Sequence, residues 1–483
     1  MIIKETKRYR LLFSYAFNFL KKESKIIAYT LFVFISGIIF HRTGAIGEII
    51  IPNTKTLSAY YMNAFKGAIT NEELITLDIK HKDFQYLSFK RKQALRYGKL
   101  ISSDDDYVPA LLNTKNKTVK VSIRLKGDWA NQFIGEKWSF RIKVKNGDTV
   151  FGMRRFSLHH PKERNFIWEW IYHKMLLNEG LISLRYKFIR LKLNGKDLGI
   201  YALEEHFTKY LIENNKNREA PIIKFSESNY WSGANLYPSG YHDVESYTTA
   251  DIEAFELNSL RSDTLLFEKY KRAIFLLGGF RDGSLTTSQV FDIEKLAKYL
   301  AITDLLGAYH GNRWHNKRFY INPVNSKIEP IGYDGMPGYR INSLSIHAYR
   351  LNKKHHETIF SDKKLLKSYI KHLRRLSSSV YIDSFLAKNE DDIDQAMKII
   401  YQEFPSYEFD KDVLYANGNY INRVTNPEDG LDAFFIKNER DSLELKIVNK
   451  QTMPLVVKSI YHGEKVLVKE DKLIKSKILS STV

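Results

Sequence analysis

Apolar and polar positions alternate through much of the first half of the chain. Residues 119–125 (VKVSIRL) and 138–144 (WSFRIKV) both show this pattern, as expected of strands with one buried face. Residues 187–193 (KFIRLKL) form a third such run. It meets Asn194-Gly195, a strong hairpin signal, and resumes as residues 198–203. One helix is predicted among these strands, over residues 164–179, closed by Gly180. Periodicity changes in the second half. Residues 291–306 predict a helix capped by Asp292, with Leu296, Leu300 and Thr303 on one face, broken at Gly307. Leu365, Leu366, Tyr369, Ile370, Leu373 and Leu376 form another helical stripe with a basic back, and residues 391–404 a further helix. Residues 443–457 and 459–467 alternate again, as small strands do.

Near the start, residues 26–40 (IIAYTLFVFISGIIF) carry no charge. Extended to residue 46, the run is long enough to span a bilayer. Lys4, Lys7, Arg8, Arg10, Lys21, Lys22 and Lys25 precede it, which keeps that end in the cytoplasm and sends the remainder across. A cleaved signal peptide and a buried core helix are the rival readings. Residues 11–20 fit an amphipathic helix lying on the inner membrane surface. The chain is thereby divided into a cytoplasmic basic segment (1–25), a membrane anchor (26–46), a β-rich first lobe (50–225), a second lobe (226–430) and a β appendage (431–483). Its class is α+β.

Composition narrows the chemistry. The 483 residues include no cysteine, which removes disulfides, thiolate metal sites and thiol nucleophiles. The net charge of +20 is spread along the whole chain without a zinc-finger or basic-zipper pattern, so nucleic acid is not an expected partner. Neither GxxxxGK[ST] nor GxGxxG occurs, which leaves P-loop and Rossmann sites unsupported. Asp104-Asp105-Asp106 and the adjacent pairs His159-His160 and His355-His356 are expected in exposed loops.

The chemistry concentrates in residues 308–338 (AYHGNRWHNKRFYINPVNSKIEPIGYDGMPG). A short strand over 318–321, a turn and a returning strand over 328–333 deliver Asp334 into a glycine-flanked loop. Helix, polar loop, hairpin and then an aspartate at the strand exit is the order in which protein kinases build their metal site. Hard cations prefer such oxygen ligands. His310 and His315 with Asp334 would alternatively suit a transition metal in a hydrolase-like site.

From about residue 78 to 423 the chain resembles the spore-coat protein H (CotH) kinase family. The resemblance rests on Tyr107-Val108-Pro109-Ala110, Arg124-Leu125-Lys126-Gly127, Lys137 with Ser139-Phe140-Arg141-Ile142-Lys143, Phe151-Gly152, Asn194-Gly195 with Gly199, Tyr201 and Glu204, His315-Asn316, Phe319-Tyr320 and Tyr333-Asp334. It implies a two-lobed, atypical protein-kinase-like fold and transfer of the γ-phosphate of ATP, with Mg²⁺ or Mn²⁺, to an unidentified protein outside the cytosol. Asp334 and Asn316 then resemble the metal ligands. Lys143 or Lys137 takes the phosphate-positioning role, Arg124 contacts phosphate, and Glu204 or Glu205 pairs with the lysine. The resemblance also calls for an aspartate about five residues before Asn316, where this chain has Gly311. His310, Asp304 and Asn312 are the candidates for the missing catalytic role. A non-catalytic pseudokinase or scaffold of envelope or surface-polymer assembly is the alternative.

Overall fold

Seven strands close a barrel in the order β1-β2-β3-β4-β5-β7-β6. They are β1 (Leu74–Ile79), β2 (Val108–Asn113), β3 (Thr118–Leu125), β4 (Phe140–Val144), β5 (Arg155–His159), β6 (Tyr186–Leu193) and β7 (Lys196–Glu205). Strands β1 and β6 pair in parallel, and the other neighbours are antiparallel. The alternation in the sequence assigns the faces. Val119, Val121, Ile123 and Leu125 of β3 join Phe140, Ile142 and Val144 of β4 inside the barrel, with Phe156, Leu158 and Leu203. A barrel this small is filled by its own side chains, so a ligand has to meet its outer face. The Asn194-Gly195 turn between β6 and β7 has φ of 48° and 82°, the left-handed pair that a tight hairpin requires.

This computed structural model describes residues 51–127, 129–233, 246–347, 353–439, 442–468 and 472–474. The predicted segments 1–25, 11–20 and 26–46 lie outside them. Among the described residues no helix is long and apolar enough to cross a membrane.

A second core forms on the barrel's outer face. There Tyr186, Phe188, Ile200 and Ala202 pack with Trp168, Ile171, Leu300, Trp314, Phe319 and Tyr369. Its elements include a four-stranded sheet of order β11-β10-β8-β9, built from β8 (Ile222–Phe225), β9 (Ile252–Ala254), β10 (Arg318–Ile321) and β11 (Ile328–Ile331). Helix Ile293–Leu306 runs through this core. Asp292 caps it by accepting from Lys295 N at 3.1 Å, and Gly307 ends it at φ 63°. The described chain closes with small hairpins, the first of them Leu431–Glu439 with Ser442–Asn449.

Several expectations need correction. The helix placed over 164–179 spans Ile167–Asn178, because Asn165 and Phe166 turn to φ 54° and 52° after a 3₁₀ turn at Pro161–Arg164. Helices Ile51–Ala68 and His81–Tyr97 add to the single helix expected in a first lobe of mostly strands. The latter buries just Leu87 and Ala94, too few to leave a helical stripe. Asp106 is buried against Lys90 and Tyr86 instead of lying in an exposed loop. His159 and His355 are buried as well; neighbouring positions on a strand or helix point in different directions, so one of an adjacent pair can enter a core.

Candidate functional site

The hairpin β10–β11 pairs Arg318 with Ile331 and Ile321 with Ile328. It then releases Gly332, Tyr333 and Asp334. Asp334 and Met336 adopt φ of 50° and 47°, left-handed conformations that side chains other than glycine seldom take. A buried carboxylate from helix Ile167–Asn178 fixes this turn. Glu169 Oε1 accepts from Gly335 N and Oε2 from Met336 N, both at 3.0 Å. Burial pushes Glu169 up to about 8, with Arg164 opposing and Asp334 and Glu204 adding to the rise.

Asp334 is the meeting point of two basic side chains. Arg164 Nη2 lies 3.0 Å from its Oδ2. His310 Nδ1 lies 3.1 Å from its Oδ1 and 3.0 Å from its carbonyl oxygen. Burial alone would raise the Asp334 carboxyl; Arg164 and then His310 outweigh it and hold the group well below the usual carboxylate range. His310 responds in the opposite sense. Burial lowers its basicity, but the Asp334 charge wins and leaves it raised. Asn316 Nδ2 completes the group, 3.0 Å from His310 O and 3.1 Å from its Nδ1.

The chain of charges continues onto the barrel. Arg164 Nε is 3.9 Å from Glu204 Oε1, and Lys126 Nζ donates to Glu204 Oε2 at 2.6 Å. Burial would raise Glu204, yet Lys126 and Arg164 bring it down to about 2. Lys126 remains lowered by burial despite this partner. Strand register explains the placement. Arg124 faces Arg141, Arg141 faces Ser157, and Ser157 faces Glu204 across β3, β4, β5 and β7. All four point outward, since their neighbours Ile123, Ile142, Phe156 and Leu203 fill the barrel. Lys126 has the same parity as Arg124, just past β3. The Nε atoms of Arg124 and Arg141 are buried without a hydrogen-bond partner among the described residues.

The structure therefore links His310, Asn316, Asp334 and Glu204 in one largely buried cluster, and it adds Lys126, Arg164, Arg141 and Glu169, to which no role was given from sequence. Lys126 was within reach, because 122, 124 and 126 share the outward face of one alternating strand. Arg164 was read only as the start of a helix, and nothing local in the sequence pointed it at Asp334. The other candidates have different surroundings. Lys137 Nζ binds Glu403 and Ile200 O, both at 2.8 Å. Lys143 sits 3.2 Å from Asp104 and over the Tyr107 ring. Arg124 reaches Ser102 Oγ at 2.9 Å and Leu125 O at 3.0 Å. Asp304 is fully buried and accepts from Ser345 N and Oγ and from Tyr369; burial pushes it up to about 7. Asn312 donates to Ser345 Oγ at 3.3 Å. Asp304 and Asn312 thus hold the segment around Ser345 instead of facing Asp334.

Gly311 has no space for a side chain. A Cβ there would lie 2.6 Å from Tyr333 O and 3.2 Å from Gly335 Cα. The Asp334 turn occupies the volume that an aspartate at 311 would need.

Among the described residues no cluster of three or more His, Asp or Glu side chains suits a metal ion. His315, the third member of the hydrolase-like alternative, is stacked on Tyr230 at 4.1 Å, and burial lowers it to about 3. Asp334 Oδ1 is buried, with His310 Nδ1 3.1 Å away as its ion-pair partner. The Asp334 carboxylate and the Asn316 amide are oxygen donors of the kind a hard cation takes, with its other ligands from water and phosphate. An aromatic wall flanks the site. Trp129, from the segment after Lys126, meets Trp231 at 5.6 Å, next to Tyr230 and His315.

The family described as CotH kinase protein matches residues 123–379, a span that holds every charged residue of this cluster. The chain is also similar to inner spore coat protein H of Bacillus subtilis (strain 168). They are 23% identical over 250 residues, which make up 52% of this chain and 67% of that protein.

Proposed function

This chain belongs to the CotH kinase protein family, and from that premise we propose that it transfers the γ-phosphate of ATP to hydroxyl groups of a protein. The observation that carries the proposal is the Lys126–Glu204 pair joined through Arg164 to Asp334. Kinase catalysis is mainly positioning and electrostatics, and it needs a glutamate-held lysine on the phosphates with an aspartate on the metal. Here Glu204 holds Lys126 in that cluster. Arg124 and Arg141 extend the positive surface along the barrel, and the two lobes of the kinase-like reading are the barrel and the mostly helical half.

Asp334 and Asn316 would hold Mg²⁺ or Mn²⁺, which supplies charge neutralisation at the phosphates. Glu169 keeps the turn in place, so the Asp334 carboxylate is held at a fixed position for the metal. His310 directs Nδ1 at Asp334, leaving Nε2 to take the proton of the substrate hydroxyl. Its side chain is about one-third exposed (32%), enough to meet a substrate. The reading also keeps the chain in a membrane through residues 26–46, with the main domain outside the cytosol.

Gly311 favours a second reading. With no room for an aspartate there, the site would bind nucleotide without transferring phosphate, and the protein would be a pseudokinase scaffold in envelope or surface-polymer assembly. Incubation with γ-labelled ATP and Mg²⁺ or Mn²⁺ separates the readings. A kinase labels itself or a generic protein and loses this with Asp334→Ala. A pseudokinase shows a thermal shift with ATP and metal but no label. Absence of both effects would end the nucleotide reading.

A further inference from the structure

Helix Ile51–Ala68 presents an apolar stripe that nothing in the described structure covers. Leu57, Tyr61 and Phe65 follow one another at four-residue steps, continued just past the helix end by Ile69, with Met62 beside them. Each of the five is more than half exposed. Steps of four keep side chains on one face, and an exposed apolar patch of this kind marks an interaction surface. The opposite face is fastened to the body. A Cβ on Gly67 would lie 2.7 Å from Gln402 N and from Tyr401 C, so the backbones are in close contact there. Asn63 Nδ2 donates to Pro405 O at 3.0 Å, and Gln402 Nε2 to Thr70 O at 2.8 Å. The stripe therefore cannot roll inward without breaking that packing.

The sequence before the helix indicates what covers the stripe. The uncharged run of residues 26–40 ends ten residues short of Ile51, and His41, Arg42 and Glu48 are the only acidic or basic side chains in between. Ten residues reach at most about 35 Å. If residues 26–46 lie in a bilayer, the start of the helix is tethered within that distance of it, and the stripe follows along the helix. Tyrosine, phenylalanine, leucine and methionine on one face of a helix suit the boundary between headgroups and acyl chains.

We propose that helix Ile51–Ala68 lies on the membrane surface with Leu57, Tyr61, Met62, Phe65 and Ile69 in the lipid interface, as a second contact beyond the anchor. The proposal rests on the reading of residues 26–46 as that anchor. Because the native chain has no cysteine, Tyr61→Cys or Phe65→Cys in the full-length protein can carry one nitroxide label at an exposed position. Asp105→Cys provides a water-facing control. In phosphatidylcholine–phosphatidylglycerol vesicles, both stripe labels are expected to show a several-fold higher ratio of oxygen to nickel-chelate collisions than the control. A control-like ratio on protein that floats with the vesicles overturns the surface contact and leaves the anchor standing. Shielding from both reagents means that a second copy or residues 1–50 cover the stripe, and also overturns it. Protein that does not float at all removes both the anchor and the contact.

Discussion

Arg164 and Asp334 face each other across 3.0 Å, with both side chains about nine-tenths buried (10% exposed each). A buried charge stripped of its partner is costly, far more than the pair is worth in net terms. Arg164→Met should therefore destabilise the protein by roughly 3–5 kcal/mol. Chemical denaturation measures this. A loss below 1 kcal/mol would mean that Asp334 is solvated, not held by Arg164.

Lys126, not Lys143 or Lys137, meets Glu204. If the nucleotide reading holds, Lys126→Met lowers phosphate transfer by about 100-fold or more, the scale seen when one preorganised charge is removed from a transition state. Lys143→Met and Lys137→Met should stay within a few-fold of wild type in the same assay. A large loss from either of those two, with Lys126→Met active, would move the phosphate site away from Glu204.

Two shifts control the alkaline side of stability. His310 is raised above its ordinary 6.5, so its contribution is complete below that pH and is lost as pH rises through the folded value. Glu169 is raised from 4.5 to about 8, so the folded state binds its proton more tightly and stability falls from pH 4.5 up to 8. Melting temperature should decline across that range. His310→Asn should remove the part above 6.5, and Glu169→Gln should flatten the part due to the carboxyl. If neither variant alters the slope, these groups do not govern it. On the acid side, Glu204 is lowered from 4.5 to about 2, so its contribution is present above 4.5 and disappears as pH drops toward 2.

Gly311→Asp should not install a base. The new Cβ would press on Tyr333 O, and forcing atoms into filled space costs about 1–3 kcal/mol. Denaturant unfolding should register that loss, with no gain in phosphate transfer. A variant as stable as wild type and more active would show that the turn at Asp334 yields easily.

The sequence made some of this plain and concealed the rest for physical reasons. Alternation through residues 119–125 and 138–144 separated barrel interior from exterior residue by residue, and the turn signal at Asn194-Gly195 placed β6 against β7. The β10–β11 hairpin and Asp334 at its exit were legible because the signal is local. Pairing Lys126 with Glu204 was not: β3 and β7 are separated by β4 and β5, so the contact depends on three ladders of register and on closure of the barrel. Arg164 and Glu169 act through a turn and a helix that meet Asp334 only in the folded chain. Helix His81–Tyr97 left no pattern because it buries so little of its surface.

The contact between Gly311 and the Tyr333–Gly335 backbone also bears on descent. Two of the four glycine codons lie a single base from aspartate, so the coding change itself is small. What blocks it is geometry: the turn would have to move first, and that turn is pinned by Glu169. Recovery of an acid at this point requires changes at separate places in the chain, each of little use alone.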